Sequence, residues 1–351
     1  MKILVTGNMG YIGPSVIQQL RLSFPKAYLV GLDTGFFAHC LTNARVLPES
    51  RLDQQIFMDV RKISDQAIRD VDAVIYLAAI SNDIMGCIDE NLTMQINCDS
   101  AVKLAKQVKK AGAKSFIFAS SCSVYGYAEE GAKTEASSVN PLTAYARSKI
   151  LAEQKLKPLA DKNFKITCFR FATACGMSER LRLDLVLNDF SAGAVVSKKI
   201  SILSDGSPWR PLIHIKDMAR AMAWGISRKA SQAGPFLIVN AGSDEWNCQV
   251  RDLAEAVARE IPGVEVTLNK DAPPDKRSYR VNFDLFKRLA PDHQPQMSLQ
   301  KAVKELRQGF IEMKFQDSNY RESQYMRIKT LTGLQQLGLL DKQLRWNSFQ
   351  K

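Results

Sequence analysis

Short apolar runs alternate with amphipathic stretches along the first half of the chain, a pattern typical of βαβ units and a parallel sheet. The apolar runs predict strands at residues 2–5, 27–32, 55–58, 73–77, 115–119 and 165–170. The stretches between them predict helices, notably at residues 13–22, 94–111 and 144–159. The expected fold is therefore α/β, with a Rossmann-type doubly wound parallel sheet.

The pattern loosens after about Phe171, where loops rich in glycine, proline and charge separate the predicted elements. Helices are predicted at 217–227, 250–261 and 299–313, and short strands at 199–203 and 236–240. This half is expected to form a smaller mixed α/β domain. Leucines at 331, 334, 337 and 340 predict that residues 317–351 form an amphipathic helix covering the rest.

Composition narrows the class of protein. With 351 residues, 46% hydrophobic and 24% charged, the chain is typical of globular proteins. No apolar run approaches the length of a membrane span, and the first apolar stretch is too short for a signal peptide, so a cytoplasmic location is expected.

Cysteine and histidine usage argues against several kinds of site. The seven cysteines form no Cys-x-x-Cys pair, and the three histidines are scattered, so neither disulfides nor a metal site is expected. The net charge of +12 comes from dispersed basic residues without interleaved aromatics. Phosphate-bearing ligands therefore explain the charge better than nucleic acid does.

A glycine-rich turn follows the first predicted strand, in the run Thr6-Gly-Asn-Met-Gly-Tyr-Ile-Gly13. Glycines at 7, 10 and 13 permit a tight turn and close approach of the backbone to a dinucleotide diphosphate, which the following helix N-terminus stabilises. Asp33 ends the second strand, where a carboxylate binds ribose hydroxyls and repels a 2′-phosphate. The sequence therefore predicts NAD rather than NADP.

Tyr145 and Lys149 stand four residues apart in a predicted helix and therefore share one face. An ammonium group beside a phenol favours the phenolate, so Tyr145 could act as a base at neutral pH. A serine pair, Ser120 and Ser121, precedes them. Tyr325 and Lys329 have the same spacing but no such context.

Together these motifs resemble those of extended short-chain dehydrogenase/reductases, specifically nucleotide-sugar epimerases and dehydratases of the UDP-galactose 4-epimerase type, over about residues 1–315. The resemblance implies a catalytic set of Ser121, Tyr145 and Lys149. It implies that the cofactor-binding residues are Gly7, Gly10, Tyr11, Ile12, Gly13, Asp33, Asp59, Val60, Leu77, Ala78, Ala79, Ser120, Tyr145 and Lys149. Within this set Asp59 and Val60 would contact the adenine.

The resemblance also implies a site for the sugar nucleotide in the second half. Arg210 matches an arginine that binds the nucleotide diphosphate, and Arg277 matches a second one, with Arg280 as the alternative. Asn188 matches a residue near these phosphates. The remaining expected substrate contacts are Ser121, Ser123 and Thr173.

The implied function is an NAD-dependent nucleotide-sugar epimerase that acts through a transient keto-sugar. Tyr145 would take the hydroxyl proton, Ser121 would bridge by a hydrogen bond, and hydride would pass to NAD and back. The runner-up is a 4-dehydrogenase or ketoreductase, since residues 177–190 also resemble GDP-heptose 4-dehydrogenases of surface-polysaccharide pathways. A dehydratase is disfavoured because Cys122 and Ser123 replace the usual Asp-Glu pair. A non-catalytic nucleotide- or RNA-binding scaffold is the remote alternative.

Domain boundaries follow from the same comparison. Residues 1–172, with 212–242 returning, are expected to bind NAD, and 173–211 with 243–315 to bind the sugar nucleotide. Residues 316–351 form a C-terminal extension. A homodimer is implied through the helices that begin near Met94 and Ala144.

Overall fold

The computed structural model describes residues 1–81, 89–128, 131–269 and 278–347. Its central sheet contains β1 (Lys2–Thr6), β2 (Tyr28–Asp33), β3 (Gln54–Phe57), β4 (Ala73–Tyr76), β5 (Ser115–Ser121), β7 (Lys165–Phe171) and β11 (Phe236–Ala241). All neighbouring strands are parallel, in the order β11-β7-β5-β4-β1-β2-β3. The predicted Rossmann-type α/β fold is confirmed.

The sheet is covered on both faces, which explains why its strands are continuously apolar. Along β1, Ile3 and Val5 belong to one apolar cluster, whereas Leu4 belongs to the other. Alternate residues of a strand point to opposite faces. Each face of β1 is therefore buried under its own layer of helices.

The helices are α1 (Gly13–Ser23), α2 (Glu90–Met94), α3 (Ser100–Lys110), α4 (Ala144–Leu156), α5 (Val186–Ser197), α6 (Ile215–Ser227), α7 (Ala230–Ala233), α8 (Val250–Glu260), α9 (Asp284–Leu289), α10 (Leu299–Glu312) and α11 (Arg327–Gln336). A π-helical turn, Gln95–Asp99, joins α2 to α3. None of the helices in the described residues is long and apolar enough to cross a membrane.

Smaller sheets occupy the second half of the chain. Their strands are β6 (Ala132–Lys133), β8 (Thr173–Cys175), β9 (Lys199–Ile202), β10 (Trp209–His214), β12 (Asn247–Gln249), β13 (Glu265–Leu268) and β14 (Arg280–Val281). Three strands form the order β12-β10-β8, and two pairs, β13-β9 and β14-β6, stand apart. Together with α5, α8 and α10 they form the mixed region expected from the sequence.

The C-terminal prediction of one amphipathic helix over 317–351 is wrong. The helix α11 spans only Arg327–Gln336, and Gly338, with φ of 69°, follows it in the left-handed region that ends helices. Leu337 is consequently 73% exposed, whereas Leu340 is buried in the loop that follows. The leucine spacing continued past a stop signal that the sequence itself contains.

Candidate active site

The glycine-rich turn lies at the carboxyl end of β1, between β2 and β4, where the strand order of the sheet reverses. Gly7 adopts φ of 73°, and a Cβ there would lie 2.5 Å from the backbone nitrogen of Ala78. A Cβ on Gly13 would lie 1.9 Å from the carbonyl oxygen of Asn8. Only glycine permits this packing, which brings the N-terminus of α1 against the open end of the sheet.

A first cavity of about 150 Å³ opens beside this turn. Ten of the predicted cofactor-binding residues line it, namely Gly7, Gly10, Tyr11, Ile12, Asp33, Asp59, Val60, Leu77, Ala78 and Ala79. Gly13 is not among the lining residues, since it packs against Asn8 at the start of α1. The structure thus brings together residues from four strand ends that are far apart in sequence.

Asp33 has the environment that a ribose-binding carboxylate requires. Its oxygens accept hydrogen bonds from the backbone N–H groups of Met9 at 3.0 Å and Gly35 at 2.8 Å. Burial raises the pKa of Asp33, although these bonds favour its ionised form. Each oxygen can accept a further hydrogen bond, so the carboxylate fits two ribose hydroxyls.

Asp59 lies in the same cavity but already has a partner. Its side chain caps the turn Val60–Lys62 and pairs with the guanidinium of Arg61 at 2.5 Å. A planar guanidinium occupies both carboxylate oxygens. Any contact of Asp59 with an adenine would therefore share the carboxylate with Arg61.

A second cavity, of about 760 Å³, adjoins the first and shares Tyr11, Ile12, Leu77, Ala79, Ser81 and Arg182 with it. The three predicted catalytic residues all line it, together with the predicted Ser120, Ser123, Thr173 and Arg210. The hydroxyl of Ser123 is buried and has no hydrogen-bond partner among the described residues. This hydroxyl is accordingly able to bind a ligand group in the cavity.

The helix α4 places Tyr145 and Lys149 on the wall of the second cavity. Thr143 caps the helix by accepting a hydrogen bond from the N–H of Ala146 at 3.2 Å. The Nζ atom of Lys149 lies 5.5 Å from the centre of the Tyr145 ring and donates to the carbonyl oxygen of Ala119 at 2.8 Å. Burial lowers the pKa of Lys149 to about 7.

The two serines at the end of β5 have different surroundings. Ser121 Oγ accepts from the N–H of Ser123 at 3.2 Å and stays on the cavity wall. Ser120 donates to Glu153 at 2.6 Å, and Glu153 forms a buried ion pair with Arg170 at 2.7 Å. Sequence reasoning missed this ion pair, because one member is on α4 and the other on β7.

The predicted substrate residues separate into three groups. Arg210 and Thr173 line the second cavity, whereas Arg280 is exposed and lies over the ring of Trp209 at 5.3 Å. Arg277 lies outside the described residues. Tyr279 contributes to the cavity from the same segment as Arg280.

Asn188 does not reach the second cavity, contrary to the expectation that it would lie near the phosphates. It is fully buried, accepts from the N–H of Gly176 at 3.0 Å and donates to Tyr11 and to the carbonyl of Arg182. Its amide is therefore satisfied within the protein. The structure gives it the role of fixing the loop that carries Arg182.

Arg182 is a site residue that the sequence did not single out. It lines both cavities, pairs with Asp184 at 2.8 Å and donates to Ser81 at 2.7 Å. The sequence feature that could have indicated this role is the two-residue spacing of Arg182 and Asp184, because it lets the carboxylate hold the guanidinium in place. A fixed cation between the two cavities suits ligands that carry phosphates.

These features fit the NAD predicted from the sequence, because the glycine-rich turn and the carboxylate of Asp33 line one cavity. No group of histidine, cysteine or carboxylate side chains in the described residues could hold a metal ion. The six cysteines that the structure describes are free, and five of them are buried.

Comparison with known proteins identifies the family. The model of the NAD dependent epimerase/dehydratase family matches residues 3–242, which is more than half of the chain. The chain therefore belongs to this family, and the resemblance inferred from the motifs is confirmed. The family's dependence on NAD agrees with the predicted cofactor.

Individual relatives are distant but cover most of the chain. A putative UDP-glucose 4-epimerase of Methanocaldococcus jannaschii is 25% identical over 86% of this chain and 96% of its own length. The uncharacterized UDP-glucose epimerase YtcB of Bacillus subtilis is 27% identical over 77% and 84%. The solved structure of UDP-glucuronic acid 4-epimerase from Bacillus cereus, in complex with UDP-glucuronic acid and NAD, has a TM-score of 0.75 at 22% identity, covering 89% of this chain and 100% of that one. This structural likeness, at so low an identity, shows a common fold alone.

Proposed function

We propose that this member of the NAD-dependent epimerase/dehydratase family is a nucleotide-sugar epimerase that oxidises and then reduces one sugar carbon. The observation that carries the proposal is the joint presence of Ser121, Tyr145 and Lys149 on the wall of one cavity. That cavity adjoins the one formed by the glycine-rich turn and Asp33. A sugar hydroxyl and a nicotinamide could therefore meet beside the phenol of Tyr145.

Proton transfer is the part of the reaction that this chain supplies. Tyr145 as phenolate takes the proton of a sugar hydroxyl, and the hydroxyl of Ser121 steadies the same oxygen by a hydrogen bond. NAD, when bound, supplies the hydride acceptor and donor. A charged Lys149 favours the phenolate, and hydrogen bonds from its ammonium to ribose hydroxyls would offset the burial that lowers its pKa to about 7.

The remainder of the second cavity suits a nucleoside diphosphate sugar. Its volume of about 760 Å³ lies within the usual range for ligand sites. Arg182 and Arg210 place guanidinium groups on its wall, and such groups bind phosphate oxygens well. We assign residues 1–172 with 212–242 to the cofactor and 173–211 with 243–315 to the sugar nucleotide, and the homodimer remains a prediction.

Water elimination is not favoured, since the position after Ser121 holds Cys122. Its thiol is buried and donates to the carbonyl oxygen of Arg170 at 3.1 Å. Burial raises the pKa of Cys122, so the group stays protonated and does not face the sugar as an ionised acid or base. Ser123, the next residue, is not an acid or base at neutral pH.

The proposal is tested with purified protein, added NAD and a panel of sugar nucleotides that begins with UDP-glucose and UDP-glucuronic acid. Epimerisation yields an isomeric sugar, seen by nuclear magnetic resonance, without net growth of absorbance at 340 nm. Tyr145→Phe should lose this activity, and the exposed Tyr127→Phe should keep it.

Other outcomes separate the remaining hypotheses. Steady growth at 340 nm with an oxidised product would replace the epimerase with a 4-dehydrogenase. A Tyr145→Phe variant with normal turnover would refute the catalytic assignment itself. Failure of every sugar nucleotide, together with salt-sensitive retention of RNA, would favour a scaffold.

A further inference from the structure

The C-terminal segment, residues 317–347, lies on the cofactor side of the molecule. It falls outside residues 3–242, which the family model matches. Three of its residues, Arg327, Leu331 and Leu344, nevertheless line the first cavity together with the glycine-rich turn. This part of the cavity wall therefore lies outside the region that the family model matches.

Specific contacts hold the segment in place at its far end. The indole nitrogen of Trp346 donates to the carbonyl oxygen of Thr34 at 2.7 Å, next to Asp33. Arg61 donates to the carbonyl oxygen of Gln343 at 2.8 Å. Leu344, between these contacts in the sequence, is only 8% exposed and lines the cavity together with Asp59 and Val60.

Arg327 is the unusual residue in this wall. It is 1% exposed, and its guanidinium lies 4.4 Å from the centre of the Phe37 ring. Its Nη2 donates to the carbonyl oxygen of Arg180 at 2.8 Å, but its Nη1 is buried without a hydrogen-bond partner among the described residues. Burial lowers the pKa of Arg327 to about 10, so the group is still charged at neutral pH.

Two nearby arginines differ from Arg327 in that each forms an ion pair with a carboxylate. Arg180 pairs with Glu49 at 3.0 Å, and Arg182 pairs with Asp184 at 2.8 Å. Within the described part of the chain, no carboxylate lies within 4.0 Å of the Arg327 guanidinium. Asp184 and the Cys40 thiol both favour the charged form of Arg327, but the Asp184 carboxylate already pairs with Arg182. The buried Nη1 atom of Arg327 still has no hydrogen-bond partner among the described residues, which indicates that an anion completes the site.

We propose that Arg327 binds the diphosphate of NAD and that Leu331 and Leu344 cover the adenosine half, so that the C-terminal segment retains the cofactor. The diphosphate is the anionic group of NAD and is expected at the glycine-rich turn, which lines the same cavity. A 2′-phosphate is the other anion of this cofactor class, but Asp33 would repel it. Because Arg327, Leu331 and Leu344 line the cavity together with the glycine-rich turn, bound NAD would lie against the segment, which would then slow its release.

Calorimetry on protein stripped of NAD tests the anion. Arg327→Met should weaken binding of NAD and of ADP-ribose by about 10- to 100-fold, the usual effect of losing a charged hydrogen bond. Binding of adenosine, which has no phosphate, should not change. Lys329→Met is the matched control, because Lys329 is on the same helix but faces solvent and pairs with Glu322 at 2.5 Å.

The retaining role is tested separately by the rate at which bound radiolabelled NAD exchanges with an excess of unlabelled NAD. Trp346→Ala removes the bond to Thr34 and should speed this exchange about 2- to 10-fold. An unchanged exchange rate in that variant would refute the proposal that the C-terminal segment retains the cofactor. Unchanged NAD affinity in a folded Arg327→Met protein, or an effect on NADP alone, would refute the diphosphate contact. Neither measurement depends on which sugar reacts.

Discussion

Lys149 should lower the free energy of unfolding of the NAD-free protein because it is a buried cation. The substitution Lys149→Met should remove this destabilisation. Burial lowers the pKa of Lys149 from 10.5 to about 7. At about 1.4 kcal/mol per pH unit, this shift corresponds to a cost of roughly 5 kcal/mol when the folded protein holds the charged lysine. Methionine has a similar length and is uncharged, so its burial does not carry this desolvation cost.

The sign of the pH dependence follows from proton binding. Between pH 7 and 10.5 the unfolded chain holds a proton on Lys149 that the folded chain has released, so the free energy of unfolding rises with pH. The cost is complete below pH 7 and disappears above 10.5. Between pH 6 and pH 9 the advantage of Lys149→Met should therefore shrink by about 3 kcal/mol.

Urea denaturation of NAD-free protein at pH 6, 7.5 and 9 measures this difference. At pH 6 the variant should be more stable by about 2 to 4 kcal/mol, since losing the bond to Ala119 takes back 1 to 3 kcal/mol of the gain. Lys155→Met is the control, because Lys155 is on the same helix, 44% exposed and paired with Asp99. Its curve should stay within about 1 kcal/mol of the wild-type curve. Parallel curves for wild type and Lys149→Met would refute the reasoning.

Two further substitutions test the residues that support the site, and a third, Gly333→Ala, serves as a control. Glu153→Gln should lower the free energy of unfolding by about 3 to 5 kcal/mol in urea denaturation, because it leaves the buried guanidinium of Arg170 unpaired; a loss below 1 kcal/mol would contradict this. Gly13→Ala should destabilise the protein by about 1 to 3 kcal/mol and weaken NAD binding in calorimetry, since its Cβ would lie 1.9 Å from the carbonyl oxygen of Asn8. Gly333→Ala, with no atom within 4 Å of the new Cβ, should be neutral or stabilising by up to about 1 kcal/mol.

Local signals in the sequence were sufficient to predict the fold and to single out Ser121, Tyr145 and Lys149, which the structure brings to the wall of one cavity. The glycine-rich turn and the pair Tyr145 and Lys149 depend on spacing within a single turn or helix, so the sequence alone could reveal them. The ion pair of Glu153 and Arg170 joins α4 to β7, and only the packing of the sheet brings its members together. The spacing of residues within one element cannot indicate partners that are distant in the sequence.

The position of the C-terminal segment at the first cavity was not predicted, for a related reason. Its leucines gave a helical period, which describes the segment's own structure but not the surface it covers. Arg327 lies between Tyr325 and Lys329, a pair to which the sequence pattern assigned no catalytic role. The position of Arg327 in the fold shows what its sequence neighbourhood does not. It lines the same cavity as the glycine-rich turn, and one of its guanidinium nitrogens has no hydrogen-bond partner among residues that the structure describes.

Retention of NAD also bears on which reaction the site carries out. An epimerase returns the hydride within each turnover and works with one permanently bound NAD, whereas a dehydrogenase must release NADH each time. If Arg327, Leu331 and Leu344 cover the cofactor as proposed, retention of NAD would favour epimerisation. Protein that carries its own NAD should complete many turnovers without added NAD, even when an NAD-hydrolysing enzyme removes all free cofactor, and Arg327→Met should stop under that treatment. If wild-type protein instead forms a single product molecule per bound NAD, the dehydrogenase is the better assignment.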